Sequence, residues 1–568
     1  MQKRVPVGVS HFGTICRSNV EFIDKTLFIQ DFLDVPQAHV LLITRPRRHG
    51  KTTLLSMVHH FFASEVYGEQ TQGLFDGLLI EKVPGEFVKR YQGQYPVIFI
   101  SFKDVKSLDF EDATVQLKTI FSYVYYQHYY LMESKVLLPG KKHYFNQVLN
   151  KEASLSELKT AIFFLSDCLS QHHQKHVILL IDEYDTPIIE AQSCGYTDEM
   201  LNFMRGLFGS SLKDNPYLDR ALVTGILRVA KESLFSGVNN LMVFTPFQKQ
   251  YQQYFGFTKE ETKALLEKVK CPVSFEEMTE WYNGYTVGEM EIYNPWSVMN
   301  CISYGELSTY WANTSENKLI YDLLKEASSD VRIAFNHLLR GKPVLCIIRE
   351  AVSLRDLDGE TGLWTLLFYS GYLRATHIER KGQQWRCQVS IPNIEVDEFY
   401  RDAFELLLSK DHALEWYQTF IEYLLAGNVP AFAERLQQIL MTRFTLRELR
   451  YDYHEAHYQG FVSGLLASIS LKEYDIKQQG EGRDGYYDIA IIPKQEKNKA
   501  LILFEFKAVK VLENVETTCK QSAIDALQQI DVKGYAEPFV KLGYQRIIKV
   551  GIAFSSKYAE VAYDELHA

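Results

Sequence analysis

A chain of 568 residues is too long for one hydrophobic core and implies about two to four domains. Its apolar fraction of 46% and charged fraction of 23% are those of a folded soluble protein. A net charge of −10 excludes a globally basic surface for nucleic acid, but not a local groove or an acidic metal site. The eight cysteines are scattered and form no CxxC pair, which argues against zinc and against a disulfide framework and fits a reducing cytosol. No apolar run approaches the ~20 residues that span a bilayer, and Met1 to Gly13 has no apolar core of a secretory signal. A cytoplasmic protein with no membrane partner is expected.

In chain order, His39–Thr44 (HVLLIT), Pro96–Ser101 (PVIFIS), Val177–Asp182 (VILLID) and Ala221–Gly225 (ALVTG) read as short strands, apolar on both faces. Helical stretches such as Phe110–Tyr130 lie between them, so a parallel sheet covered by helices is expected over residues 1–244. Residues 245–440 read as mostly helical. Thr258-Lys259-Glu260-Glu261 is a capping box there, and Asn283-Gly284-Tyr285 and Asn294-Pro295-Trp296 read as turns. Residues 441–568 read as a helix, three strands, a helix and a strand, an αβββαβ unit.

Ile43 to Thr53 (ITRPRRHGKTT) follows the first strand and opens a helix. Gly50-Lys51-Thr52 is the end of a phosphate-binding loop. Loop and helix amides would face phosphates, Lys51 would reach the β and γ oxygens, and Thr52 would ligate Mg²⁺. Arg45 stands where such a loop ordinarily begins with Gly. The expected nucleotide site comprises Arg47, Arg48, His49, Gly50, Lys51, Thr52 and Thr53. Asp182, ending the third apolar run, would hold Mg²⁺, and Glu183 would polarise the attacking water. Thr224 would touch the γ-phosphate or the water. Arg228 would serve a phosphate or a neighbouring subunit of a homo-oligomer. Either can equally be a structural residue at a strand end.

Near the C-terminus, Asp488 opens one apolar run, and Glu505-Phe506-Lys507 closes the next, 17 residues on. Residues two apart on a strand share a face, so Glu505 and Lys507 project together. If the runs pair, Asp488 joins them, and two carboxylates with an amine can hold a divalent cation and position water against a phosphodiester.

Thr44 to Thr52 (TRPRRHGKT), Ile181 to Pro187 (IDEYDTP), Thr224 to Ser233 (TGILRVAKES) and Trp281 to Tyr285 (WYNGY) resemble the bacterial AAA-ATPase-like proteins that carry a C-terminal PD-(D/E)XK nuclease-superfamily domain. In that family the loop typically begins Arg-Pro-Arg-Arg, so Arg45 agrees with it; His49 and Thr52 replace the usual Phe and Ser. The resemblance implies an α/β fold: a P-loop NTPase sheet, a helical middle region and a restriction-endonuclease-like domain. It also implies Asp488 and Glu505 as Mg²⁺ ligands, Glu455 as a further ligand, Lys507 as the group that orients the water or stabilises the charge, and Gln529 with Tyr535 as shapers of the site. The expected protein binds and hydrolyses ATP with Mg²⁺ and carries a Mg²⁺-dependent nuclease domain for nucleic acid, DNA rather than RNA in the first instance. The competing reading is a nucleotide-switched interaction protein whose C-terminal domain is a non-cleaving scaffold.

Overall fold

The computed structural model describes residues 4–567 apart from 38, 230–233, 236–237, 312–328, 340, 352–358, 383, 409–413, 444–454, 467–468, 470–472, 510–513 and 556–557. Some helix positions, Glu455 among them, are described by backbone alone, and residues 230–233 of the Thr224–Ser233 motif lie outside the described residues. The chain divides into two compact units, Met1–Leu323 with Pro343–Asp397, and Leu324–Lys342 with Glu398–Ala568.

The first unit is built on β1 (Val40–Thr44), α1 (Lys51–Phe62), β2 (Val97–Ser101), α2 (Phe110–Gln127), β3 (Val177–Asp182), β4 (Leu218–Gly225) and β5 (Leu241–Phe244). The strands form one parallel sheet in the order β2-β3-β4-β1-β5. Every residue of β1, β3 and β4 is buried. That is why these runs are apolar without alternation: helices cover both faces. Leu41 and Ile43 pack against Leu55, Val58, Phe61 and Phe62 of α1. Each such side chain contributes roughly 1.5–3 kcal/mol by leaving water. The short edge strand β5 is only half-buried and escapes a pattern reading.

The middle of the chain is mostly helical, and Thr258 and Glu261 form the expected reciprocal cap. Asn294-Pro295-Trp296 is not a free turn but the start of α3 (Pro295–Tyr304). The Asn294 side chain accepts from the amides of Trp296 and Ser297, and Pro295 takes the first position, where no amide is needed. The region also holds a three-stranded antiparallel sheet of β6 (Val344–Arg349), β7 (Arg374–Lys381) and β8 (Gln384–Ser390), in the order β6-β8-β7, with α4 (Glu360–Ser370) between β6 and β7. β7 and β8 mix Arg, Glu and Gln with few apolar residues, whereas β6 is apolar up to Arg349 although Leu345 and Ile347 are exposed.

Four histidines of this unit, His49, His59, His60 and His128, are buried. Burial holds their pKa values down at about 3, 3, 4 and 4. Unfolded histidines take a proton near pH 6.5, so below that the unfolded chain binds more protons and stability falls as the pH falls. Burial raises Asp182, and it raises Asp185 to about 6; both act in the opposite sense and offset part of the effect. The melting temperature of the protein is therefore expected to drop steadily from pH 7 to pH 4.5. The slope is about 1.4 kcal/mol per pH unit for each uncompensated histidine. A melting temperature that holds constant over that range would contradict the buried, neutral histidines.

The second unit carries α5 (Glu455–Leu465), β9 (Tyr474–Glu481), β10 (Tyr486–Pro493), β11 (Leu501–Ala508), α6 (Val515–Val532), β12 (Arg546–Ser555) and β13 (Tyr558–His567). This is the αβββαβ order with one further strand, β13, at the edge. The sheet runs β9-β10-β11-β12-β13, with β11 and β12 parallel and the other neighbours antiparallel. Period two sorts β11. Ile502, Phe504 and Phe506 join one core, while Leu501 and Leu503 join the core that contains Ile530 of α6. Glu505 and Lys507 continue the second row, so they face the α6 side. Among the described residues, no helix is long and apolar enough to cross a membrane.

Candidate functional site

The first candidate site lies at the carboxyl ends of the parallel strands. The loop after β1 leads into α1 through Gly50, whose φ of 81° lies in the left-handed region where a side chain is disfavoured. β4 lies between β1 and β3, and the register sets Thr44 beside Gly225 and Ile181 beside Val223. Three oxygen-bearing side chains therefore meet. Thr52 Oγ1 donates to Asp182 Oδ2 at 2.7 Å, and Thr224 Oγ1 donates to Asp182 Oδ1 at 2.8 Å. Burial raises the Asp182 carboxyl, with Glu183 adding to the rise against these two hydrogen bonds and Lys51. A hydroxyl and a carboxylate this close form the all-oxygen donor set that suits a hard divalent cation.

Lys51 is buried and donates to the carbonyls of Arg45 at 3.1 Å and Pro46 at 2.9 Å. Burial lowers its pKa, and the carboxylates of Glu183, Asp182 and Asp185 oppose that. Glu183 has a φ of 51°, a strained backbone for a residue with a side chain, and its carboxylate accepts from Thr186 Oγ1 at 3.2 Å. Arg47, Arg48, His49, Gly50, Lys51, Thr52, Thr53 and Glu183 line one cavity of about 480 Å³, within the size range of small-molecule sites. The cavity continues to apolar walls that include Phe22, Phe257 and Trp296.

The side chains of the Arg-rich loop engage protein. Arg45 is fully buried and donates to the carbonyls of Thr44 and Phe244, with its guanidinium 5.2 Å from the Phe255 ring. Arg48 stacks 4.5 Å from the Trp296 ring, and the His49 ring meets Tyr285 edge-on. Arg228 lies past the end of β4, paired with Glu350 at 2.9 Å. A reading of single motifs misses the bracing role of Tyr184 and Asp185. Asp185 Oδ2 accepts from the amides of Ile226 and Leu227 at 2.8 and 2.7 Å. Tyr184 Oη donates to Leu227 O and accepts from the Val229 amide. Both fix the segment that follows Thr224. A methyl group on Gly225 would sit 2.4 Å from Asp185 Oδ1, so that glycine is required by the close approach. The signal for this brace is the unbroken Asp-Glu-Tyr-Asp run, whose last two members are buried although they follow a strand end.

The second candidate site lies on the α6 side of β11. β10 and β11 pair through Ile489 and Phe504, so Asp488 and Glu505 stand one residue beyond that pair on adjacent strands. Asp488 Oδ2 accepts from the Phe506 amide at 2.8 Å, and Gln459 of α5 donates to the Asp488 carbonyl at 3.2 Å. Glu505 is 3% exposed. Its Oε1 accepts from Gln529 of α6 and stands 3.5 Å from Lys507 Nζ. Gln529 also donates to Tyr535 Oη at 3.3 Å. Burial raises the Tyr535 phenol, with Glu505 and Asp488 adding to the rise. The structure thus brings together Asp488, Glu505, Lys507, Gln529 and Tyr535. Glu455 begins α5, with its side chain outside the described residues. Among the described residues no three His, Cys, Asp or Glu side chains gather as a metal-holding group. The carboxylate pair and the adjacent ammonium are still oxygen donors and a cation of the kind that phosphodiester chemistry uses.

Comparison with known proteins bears on the two regions that carry these sites. Residues 6–235 match the family model described as "Predicted AAA-ATPase", and residues 453–563 match that of the PD-(D/E)XK nuclease superfamily. The two matches follow one another in the order of an AAA-ATPase-like region and a C-terminal region similar to the PD-(D/E)XK nuclease superfamily. Over its whole length it is similar to a protein of Azotobacter chroococcum mcd 1 described as "Uncharacterized protein in vnfD 5'region". The two are 26% identical across 98% of this chain and 97% of that one.

Proposed function

We propose that this protein is a cytoplasmic ATP hydrolase whose C-terminal domain is a Mg²⁺-dependent nuclease acting on DNA. The reading assigns residues 1–244 to the ATPase domain, 245–440 to a helical lid region and 441–568 to the nuclease. The observation that carries it is the meeting of Thr52, Thr224 and Asp182 within hydrogen-bonding distance beside Lys51. In the ATPase site the amides from Gly50 to Thr53 receive the phosphates, and Lys51 exchanges its carbonyl partners for β and γ oxygens. Thr52 and Asp182 hold Mg²⁺, Thr224 senses the terminal phosphate, and Glu183 accepts the proton of the attacking water. In the nuclease site Asp488 and Glu505 hold the metal, Lys507 stabilises charge on the phosphate, and Gln529 fixes the Glu505 carboxylate. When bound, Mg²⁺ neutralises phosphate oxygens at either site.

The test is phosphate release from ATP by the purified full-length protein with Mg²⁺. Release that depends on Mg²⁺ and saturates with ATP is expected; no release and no ATP binding would overturn the ATPase half of the reading.

A further inference from the structure

Arg228 leaves a backbone that is fixed on both sides, by Asp185 on the amides of Ile226 and Leu227 and by Tyr184 on Leu227 and Val229. Its segment continues β4 beyond Thr224, at the end of the sheet where Lys51, Asp182 and Glu183 stand. The anion paired with this cation is Glu350, 122 residues away and immediately past β6. The pair is largely shielded, with side chains 26% and 12% exposed.

Glu350 is held by more than Arg228. Its Oε1 also accepts from Gln248 Nε2 at 3.2 Å, and its Oε2 lies 3.8 Å from Arg380 Nη2 of β7. Its carbonyl accepts from Tyr369 Oη of α4 at 3.2 Å. Gln248 in turn accepts from the amide and hydroxyl of Thr245, right after β5. The two partners are thus unequal. Glu350 keeps the Gln248 hydrogen bond and the Arg380 charge if Arg228 leaves it. Arg228, largely shielded and always charged, needs another anion.

We infer that Glu350 is a latch on Arg228, which a terminal phosphate of ATP displaces, so that ATP, and not ADP, frees Glu350 and the β6–β8 sheet from the end of β4. The inference rests on the ATP-binding reading above. It makes Glu350 a positioning residue that competes with nucleotide for one guanidinium. A ligand shifts such an equilibrium only through its differential affinity for the two states, and the γ-phosphate is the group that ATP has and ADP lacks.

The experiment measures displacement of a fluorescent nucleotide by ATP and by ADP, with Mg²⁺, on the full chain. Wild type, Glu350→Gln, Arg228→Ala and the double variant are compared. Glu350→Gln should raise the preference for ATP over ADP by about 5- to 10-fold, the low end of ordinary coupling between sites. Arg228→Ala should lower that preference, and the double variant should match Arg228→Ala. Glu350→Asp, which keeps the charge but shortens the reach, should show a smaller gain and serves if Glu350→Gln does not fold. An unchanged ATP-to-ADP ratio in both Glu350 variants would overturn the latch. So would a gain that persists without Arg228. Failure of the wild type to bind either nucleotide would instead sink the ATP-binding reading, and the latch with it.

Discussion

Asp488→Ala or Glu505→Ala is expected to abolish nucleic-acid cleavage while leaving ATP hydrolysis at its wild-type rate. Asp488 and Glu505 stand on adjacent strands next to Lys507, and one carboxylate alone is a poor site for a divalent cation. Lys507→Ala should keep metal binding and lose about 10²–10³ in cleavage rate, comparable to removing one donor that stabilises transition-state charge. Gln529 should act through Glu505, because its amide donates to that carboxylate. The two sites lie in different units of the chain, which is why hydrolysis of ATP should be spared. Cleavage and phosphate release, measured on the same preparations, check this. An Asp488→Ala protein that cuts as fast as wild type would remove Asp488 from the site.

Lys51→Ala should weaken ATP binding by about 10- to 100-fold, the loss of a charge-assisted contact to phosphate. Glu183→Gln should bind ATP as tightly as wild type and turn over about 10²- to 10⁴-fold more slowly, since an amide cannot take the proton from water. The distinction follows from position. Lys51 is buried under the loop with its ammonium on the carbonyls of Arg45 and Pro46, whereas Glu183 sits past the end of β3 on a strained backbone and lines the cavity. Equilibrium binding and single-turnover rates separate the two effects. A Glu183→Gln protein with the wild-type rate would refute its role as base.

Local sequence patterns carry much of this architecture. Val177–Asp182 announces a doubly covered parallel strand because every position is apolar until the terminal acid. Glu505 and Lys507 are legible as a pair because they replace apolar residues in a row that Leu501 and Leu503 begin. Other features depend on partners that no local pattern encodes. The bond from Glu350 to Arg228 spans 122 residues, and those from Asp185 to Ile226 and Leu227 span 41 and 42. In the β6–β8 sheet, β7 and β8 are hidden because many of their residues are polar and meet water, which blurs the apolar alternation of a strand. Arg45 reads in the sequence as a replacement for the usual loop glycine and as the start of an Arg-Pro-Arg-Arg loop, neither of which tells what the side chain does. Its task comes from distant partners: it is buried against backbone carbonyls and the Phe255 ring, where it holds the loop to the segment after β5.

The most direct test of an ATPase joined to a nuclease is incubation of the full-length wild-type protein with double-stranded DNA, single-stranded DNA and RNA. Each is tested with Mg²⁺ or with a chelator, and with or without ATP. The account predicts Mg²⁺-dependent cleavage of DNA whose rate changes with ATP. Intact nucleic acid under every condition, from protein that still hydrolyses ATP, would contradict it and leave the C-terminal domain as a scaffold.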